Sequence, residues 1–435
     1  MKNSLVITVL LAFSAFGAAA QPYTLDDCRR MALENNVRVR NSALDRDIAR
    51  ETRREAFTHY FPSVSATGVI FAANRGMAQM DMSVPVALPS PLPSMEIPFS
   101  MSMLKHGKAA GVAAMQPVFA GGRIVYGNRL ARVGERVAGL RAELSGQEVV
   151  LRTEEYFRQV VGLEAKLQTV AVSERLLERL HHEVALAVEA GLTTRNDLLR
   201  VELRQQEVAS RRLKLENGLA VSKMLLCQYV GAGPLGFEVR DDSVQTPPPP
   251  TQYYVDPAEA LERRAEYRLL DEQVEASRLE KRMTSGKRMP TVGVGAGYMY
   301  HDFLQKDNDF GVVYASVTVP ITAWWGGTHA TRQAELKLRQ AENERRNNAE
   351  LMEVEIRQTW NDLQEAYRQI MLAEKSVEQS AENMRLNEQY YRVGTATLSD
   401  ALDAQTLFEQ SRNQYTDACN DYRSALTRYL QITGR

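Results

Sequence analysis

The chain has only three cysteines in 435 residues: Cys28, Cys227 and Cys419. An odd number, with no neighbours at metal-ligand spacing, offers neither a disulfide framework nor a thiolate metal site. Three buried or unpaired thiols are expected. Charge of one sign is also lacking: 53 Lys and Arg stand against 54 Asp and Glu, a formal net charge of −1. Nucleic-acid binders need a basic surplus to neutralise phosphates, so no nucleic-acid partner is expected. Beyond residue 20 no apolar run reaches about 18 residues, so no helix is expected to cross a bilayer. His181-His182-Glu183 lacks the second His of a zinc-protease motif, because Leu186 stands at that position. Gly293, Gly295 and Gly297 are followed by Tyr298 and form no dinucleotide fingerprint. No nucleophile–base set emerges. Neither an enzyme, a cofactor nor a bound metal is expected.

What is present starts with a secretory leader. Lys2 precedes an apolar stretch from Leu5 to Phe16, and Ala18-Ala19-Ala20 offers a cleavage site before Gln21. Residues 1–20 are therefore read as a signal peptide of an exported chain. Cys28 follows Leu25-Asp26-Asp27, which is no lipoprotein box.

The remainder is duplicated. Pro62-Ser63-Val64-Ser65 matches Pro290-Thr291-Val292-Gly293. Gln116-Pro117-Val118-Phe119 with Gly121-Gly122 matches Val319-Pro320-Ile321-Thr322 with Gly326-Gly327. Ala190-Gly191-Leu192-Thr193-Thr194 with Asp197 matches Val393-Gly394-Thr395-Ala396-Thr397 with Asp400. Pro117 to Gly191 and Pro320 to Gly394 both span 74 residues. The opening prolines lie 228 apart and the later pairs 203, so the first half holds 25 extra residues within about 73–109. The repeats are read as 21–230 and 256–435, joined by a linker at 231–255 with four prolines, Pro247 to Pro250.

Each repeat holds a very long helical pattern, at about 123–190 and 328–391. Val160, Leu163, Leu167 and Val170 step by three and four, with Leu177 seven further on, as do Ile356, Trp360, Leu363 and Tyr367 by three and four. A period near 3.5 is coiled-coil packing. About 65 residues at 1.5 Å each make roughly 100 Å, which no compact globule needs. Shorter helical segments at 24–58, 194–230, 256–286 and 397–432 complete hairpins. Gly191 and Gly394 mark their tips, with Thr193 or Thr194 and Thr397 or Ser399 available as caps.

Four short strands are expected, at about 62–72, 110–120, 290–301 and 311–322. Val292, Val294, Ala296, Tyr298 and Tyr300 alternate with Thr291, Gly293, Gly295 and Gly297. Ten-residue segments alternating apolar with small or polar residues are the signature of membrane β-strands. Tyr60, Phe61, Phe119, Trp324 and Trp325 flank the strands at their helix-facing end and read as an interfacial girdle. Four strands are too few to close a barrel in lipid, so several copies must combine.

With these features the sequence resembles the TolC-like outer-membrane efflux family. The resemblance rests on Tyr23-Thr24-Leu25-Asp26-Asp27 leading to Ala32-Leu33-Glu34-Asn35-Asn36, on Gln116-Pro117-Val118-Phe119-Ala120-Gly121-Gly122-Arg123, and on Tyr391-Arg392-Val393-Gly394 with Asp400-Ala401-Leu402-Asp403-Ala404-Gln405. It implies a mainly α chain with membrane β: a homotrimer with a 12-stranded barrel in the outer membrane and a 12-helix tunnel across the periplasm. It implies an exit duct for drugs or other small molecules, partnered by a periplasmic adaptor and an inner-membrane transporter. The tips Gly191, Leu192, Thr193, Gly394, Thr395 and Ala396 would meet the adaptor. Asp400, Asp403, Tyr391, Asn196 and Asp197 would line the periplasmic gate. Ala396 stands where the best-known members carry a basic residue.

The residues themselves say that Asp400 and Asp403, three apart near a helix start, share a face. There they favour the helix dipole, and in a trimer they would form an acidic ring. The insertion carries Met77, Met80, Met82, Met95, Met101 and Met103, read as an extracellular loop with adaptable packing. Two other readings stay open: a protein-secretion exit duct, and a soluble periplasmic coiled-coil scaffold.

Overall fold

The computed structural model describes residues 22–75, 77–86, 95–103, 105–233, 237–241, 247–303 and 306–435. The leader and its cleavage site lie outside these residues. Eight α-helices and six strands are described: α1 (Leu25–Asn35), α2 (Val37–Thr58), β1 (Ser63–Ala72), β2 (Ala78–Val86), β3 (Met95–Met103), β4 (His106–Ala120), α3 (Arg123–Glu189), α4 (Arg195–Val230), α5 (Pro257–Arg263), α6 (Ala265–Gly286), β5 (Thr291–Phe303), β6 (Lys306–Thr318), α7 (Ala323–Arg392) and α8 (Leu398–Ile432). None of these helices is long and apolar enough to cross a membrane.

Three expectations need correction. Six strands replace the expected four, because part of the methionine-rich insertion pairs with itself as β2 and β3. The segments 24–58 and 256–286 are each two helices. Asn36 takes an extended conformation, and its side-chain oxygen accepts from Arg38 N at 2.9 Å, starting α2 afresh. Arg264 is extended in the same way, and its guanidinium reaches Glu355 at 2.8 Å. Asn36 and Arg264 stand 228 residues apart, as the two opening prolines do, so the break belongs to the repeat. Finally, β6 stops at Thr318 and α7 starts at Ala323. Pro320 has no N–H for a ladder, and its carbonyl instead accepts from Ala323 N at 3.1 Å.

The chain forms two compact units that cut across the repeats. One takes residues up to Leu44, Leu140–Arg268 and Asn348–Arg435; the other takes Asp45–Gly139 and Leu269–Asn347. In the first, the core follows seven-residue steps. Val170, Leu177 and Val184 on α3, Ile356, Leu363 and Ile370 on α7, and Ala404, Ser411 and Ala418 on α8 are all buried. This is the 3.5-residue seam of coiled-coil packing. Tyr422 and Tyr429 are 0 % exposed, and each hydroxyl has a partner: Tyr422 donates to the Pro248 carbonyl, and Tyr429 accepts from Val255 N. Cys28 and Cys227 share one core, and all three thiols are free. Burial pushes the Cys28 thiol up to about 12, so it stays protonated and inert.

In the second unit the sheet is antiparallel throughout, in the order β1-β4-β5-β6. Register aligns Val64, Ala114, Ala296 and Val313 in one row, and Ala66, Val112, Tyr298 and Gly311 in another, all on one face. This apolar face is uncovered within the chain: Val313 is 84 % exposed. Among the described residues β1 and β6 are the open edges of this sheet. On the opposite face Gly295 leaves room for the Tyr314 ring, which an added Cβ would meet at 2.4 Å.

Candidate functional site: the hairpin tips and the strand belts

Both hairpins turn by the same chemistry. At the end of α3, Gly191 adopts φ +69 and Leu192 N donates to Ala187 O at 2.8 Å. At the end of α7, Gly394 adopts φ +75 and Thr395 N donates to Tyr390 O at 2.8 Å. These bonds satisfy carbonyls that the helix end leaves open, and the left-handed residue must be Gly to avoid strain. Three residues later a threonine caps the outgoing helix. Asp197 N donates to Thr194 Oγ1 at 3.3 Å, and Asp400 N to Thr397 Oγ1 at 3.2 Å. The aspartates answer: Thr194 Oγ1 donates to Asp197 at 2.8 Å and Thr397 Oγ1 to Asp400 at 2.7 Å. These are reciprocal capping boxes. The threonine hydroxyls hold both carboxyls below their usual range.

The structure thus separates the expected gate residues. Asp400 and Asp197 are occupied by their caps, while Asp403 lies one turn further along α8 and is exposed. Asn196 is exposed beside Asp197. Tyr391 is half-buried against a core shared by both hairpins, with Leu177, Val184, Val201 and Leu398. Burial raises its hydroxyl, helped by Asp197 and Glu183. Leu192 is 82 % exposed at its tip; Thr193 is half-buried and donates to Asp197 at 2.7 Å. Thr395 is exposed and Ala396 half-buried.

Sequence reasoning missed the polar ties between hairpins. Glu409 on α8 is buried, accepting from Ser173 of α3 at 3.2 Å and from Arg211 of α4 at 3.3 Å. Arg204 donates to Thr406 at 2.6 Å, Lys166 meets Asp417 at 2.7 Å, and Arg392 meets Glu183 at 3.7 Å. The partners lie far apart in sequence, and no local pattern announces them.

At the strand bases, Tyr60, Phe61, Phe119, Trp324 and Trp325 are all exposed. Register puts Phe119 beside Val292 and Val317, at the end where β1 begins and β6 stops. Trp324 Nε1 donates to Arg288 O at 3.3 Å. The far end of the apolar face carries a second belt that the sequence reading overlooked. Tyr300 donates to Asp307 at 2.7 Å, Tyr298 donates to Asp309, and Lys108 lies 3.6 Å from Asp302. Its signal was the pairing of Tyr298-x-Tyr300 with Asp307-x-Asp309. The face is therefore an apolar band bounded by aromatic and polar residues at both ends, the pattern of a strand crossing lipid.

Among the described residues no His, Cys, Asp or Glu group of three could hold a metal ion. His181 lies 3.5 Å from Glu202, an ordinary surface contact.

Residues 257–435 match the outer membrane efflux protein family. No curated protein matches the chain. Solved structures do: CusC, described in terms of transmembrane channel formation, superposes with TM-score 0.78 at 14 % identity, covering 94 % of this chain and 92 % of that one. The outer membrane protein VceC from Vibrio cholerae gives 0.75 at 14 %, covering 94 % and 96 %. The Campylobacter jejuni outer membrane channel CmeC gives 0.74 at 12 %, covering 94 % and 85 %. The chain has the fold of outer-membrane channels.

Proposed function

We propose that this chain is an outer membrane efflux protein, one third of an outer-membrane exit duct. Three copies join their four-stranded sheets into a 12-stranded barrel, and their helices into a periplasmic tunnel. A periplasmic adaptor and an inner-membrane transporter deliver small molecules such as drugs to it. The observation that carries this reading is the sheet: an apolar face bounded by two belts, uncovered and open at both edges, in a chain whose helices bury whole tyrosines. Unpaired edges are untenable in lipid, and closure with further copies removes them. Helical seams support the same assembly. On α4, Leu199, Leu203, Leu213 and Met224 are exposed close to multiples of 3.5 residues; on α7, Leu351 and Leu372 are exposed 21 residues apart. Such seams fit coiled-coil packing between neighbours.

At the closed end, the tips with Leu192 and Thr395 meet the adaptor, and Tyr391, Asn196 and Asp197 hold the hairpins together around the entrance. The acidic ring is formed by Asp400 and Asp403. Because Asp400 also caps α8, Asp403→Asn is the cleaner variant, removing charge without touching the cap. In planar bilayers the unaltered protein is expected to prefer cations, and Asp403→Asn to weaken that preference. Identical reversal potentials would remove the ring from the account. Fractionation tests the duct itself: a detergent-extracted trimer in the outer membrane is expected, whereas release with soluble periplasm contradicts it.

A further inference from the structure

The four-stranded sheet meets its helices through a zone that lacks one sign of charge. No Asp or Glu occurs in residues 56–80, 97–134, 281–301 or 310–334. Those stretches hold the strand bases and the helix ends beside them. Arg123, Arg129, Arg282, Lys287 and Arg288 fall there, and none of them meets a carboxylate among the described residues. Arg123 donates to the Ala120 carbonyl at 3.1 Å, and Arg129 and Arg282 lie over the Tyr126 ring. Arg288 reaches the Thr328 hydroxyl at 3.4 Å. Further along the same three helices the arginines are paired: Arg136 with Glu272, Arg278 with Glu275 and Arg339 with Glu335. The acids of the sheet, Asp302, Asp307 and Asp309, all lie at its far end.

Position adds to charge. The end of α6 is pressed onto the β4–α3 turn, where an added Cβ on Gly286 would meet Gly121 O at 2.3 Å. The cations just after Gly286 are thereby held at the strand bases. Arg288 lies along the first turn of α7: an added Cβ on Gly327 would meet its Cδ at 2.6 Å. Trp324, Gly327 and Thr328 stand three and four apart, so they share one helix face. On that face an exposed indole and a guanidinium without a counter-charge lie side by side, the indole N–H donating to Arg288 O at 3.3 Å. Lys287 and Trp325, their chain neighbours, are both exposed. An aromatic ring at the edge of hydrocarbon, with a cation just outside it, suits a lipid headgroup. A surplus of cations selects an anionic one.

Resting on the duct reading, which puts this end of the sheet at the periplasmic leaflet, we propose that Lys287, Arg288 and Trp324, continued by Arg282 and Arg129, form a binding surface for the phosphodiester of anionic phospholipids. Full-length protein is reconstituted into phosphatidylcholine vesicles with a trace of spin-labelled phosphatidylglycerol or spin-labelled phosphatidylcholine. The motionally restricted fraction of each label reads its association with the protein. Phosphatidylglycerol is expected to associate about fivefold more strongly, the effect of one cation well placed at a membrane surface. That preference should collapse in about 1 M salt, where charges are screened beyond about 3 Å. Lys287→Gln combined with Arg288→Gln should remove most of it and leave the phosphatidylcholine association unchanged. Equal association of both lipids with the unaltered protein overturns the surface, and so does a preference that the double substitution leaves intact. Should the variant fail to fold, the salt arm decides: a preference that persists in high salt overturns the surface. Protein that enters neither vesicle contradicts the duct reading itself, a result distinct from entry without lipid preference.

Discussion

The sheet and the helical cores of this chain follow opposite burial rules. On β1 nine of ten residues are exposed, while Phe157, Leu177, Leu363, Tyr422 and Tyr429 are fully buried within the helices. Water rewards the second arrangement, because apolar surface leaves it. It penalises the first. On the proposed function, one sequence has been written for two solvents: heptad seams that close against each other in water, and an alternating face for an apolar medium and further copies.

The largest effect is expected in the helical core. Tyr422→Ala should destabilise by about 3–5 kcal/mol in chemical unfolding, with loss of the hydrogen bond to Pro248. Val313→Ala, at a site 84 % exposed within the chain, should leave that transition unchanged. Similar losses at both sites would erase the contrast.

The sheet has its own asymmetry. Val313 and Ser316 lie on opposite faces of β6. Val313→Arg should cost about 2–4 kcal/mol near the bilayer midplane and reduce the amount recovered from outer membranes. Ser316→Arg should be tolerated there and alter conductance instead. Equal yields of both variants would show that the faces are not distinguished by lipid.

The tips come next. Thr194→Ala should cost about 1 kcal/mol through loss of the cap. Gly394→Ala should cost about 1–2 kcal/mol, since φ +75 is strained for a residue with a Cβ. Hydrogen exchange in the first turns of α4 and α8 reads both. Acid acts on the same bonds. The carboxyls of Asp197 and Asp400 are depressed in the folded chain, so their contribution is present above the unfolded value of about 3.9. It is lost as pH falls through the folded values. Exchange at the tips should therefore quicken below about pH 4. Because Thr193 lowers the Asp197 carboxyl most and Thr194 next, Thr193→Ala combined with Thr194→Ala should flatten that response at α4 alone.

The smallest effect is at the alkaline end. Burial raises the Tyr422 hydroxyl to about 12. A raised value gives stability that is complete below about 10 and declines as pH rises towards 12. Tyr422→Phe should make the alkaline decline shallower, measured as the unfolding midpoint against pH.

How far these features could be read from sequence depends on whether they are local. The long helices announce themselves through repeated steps of three and four. The tips do so through a glycine followed, three and six residues on, by threonine and aspartate. The α1–α2 break does not, because Asn36 is unremarkable until its amide meets Tyr229 O at 3.0 Å, 193 positions away. The β2–β3 hairpin was hidden because Pro85 and Pro98 interrupt its alternation. The cap at Asp400 was legible only beside a competing pore reading, since a capping aspartate and a pore aspartate look alike in sequence. The tie from Arg211 to Glu409 spans 198 residues and depends on how the hairpins pack.

The account's central claim is that alternate residues of β6 face lipid and water. Nitroxide labels at positions 313 and 316, read in outer membranes, test it most directly. The prediction is that oxygen, which concentrates in lipid, relaxes the label at 313, and that a water-soluble nickel chelate relaxes the label at 316. Both labels answering to the nickel chelate alone would contradict a membrane-spanning strand.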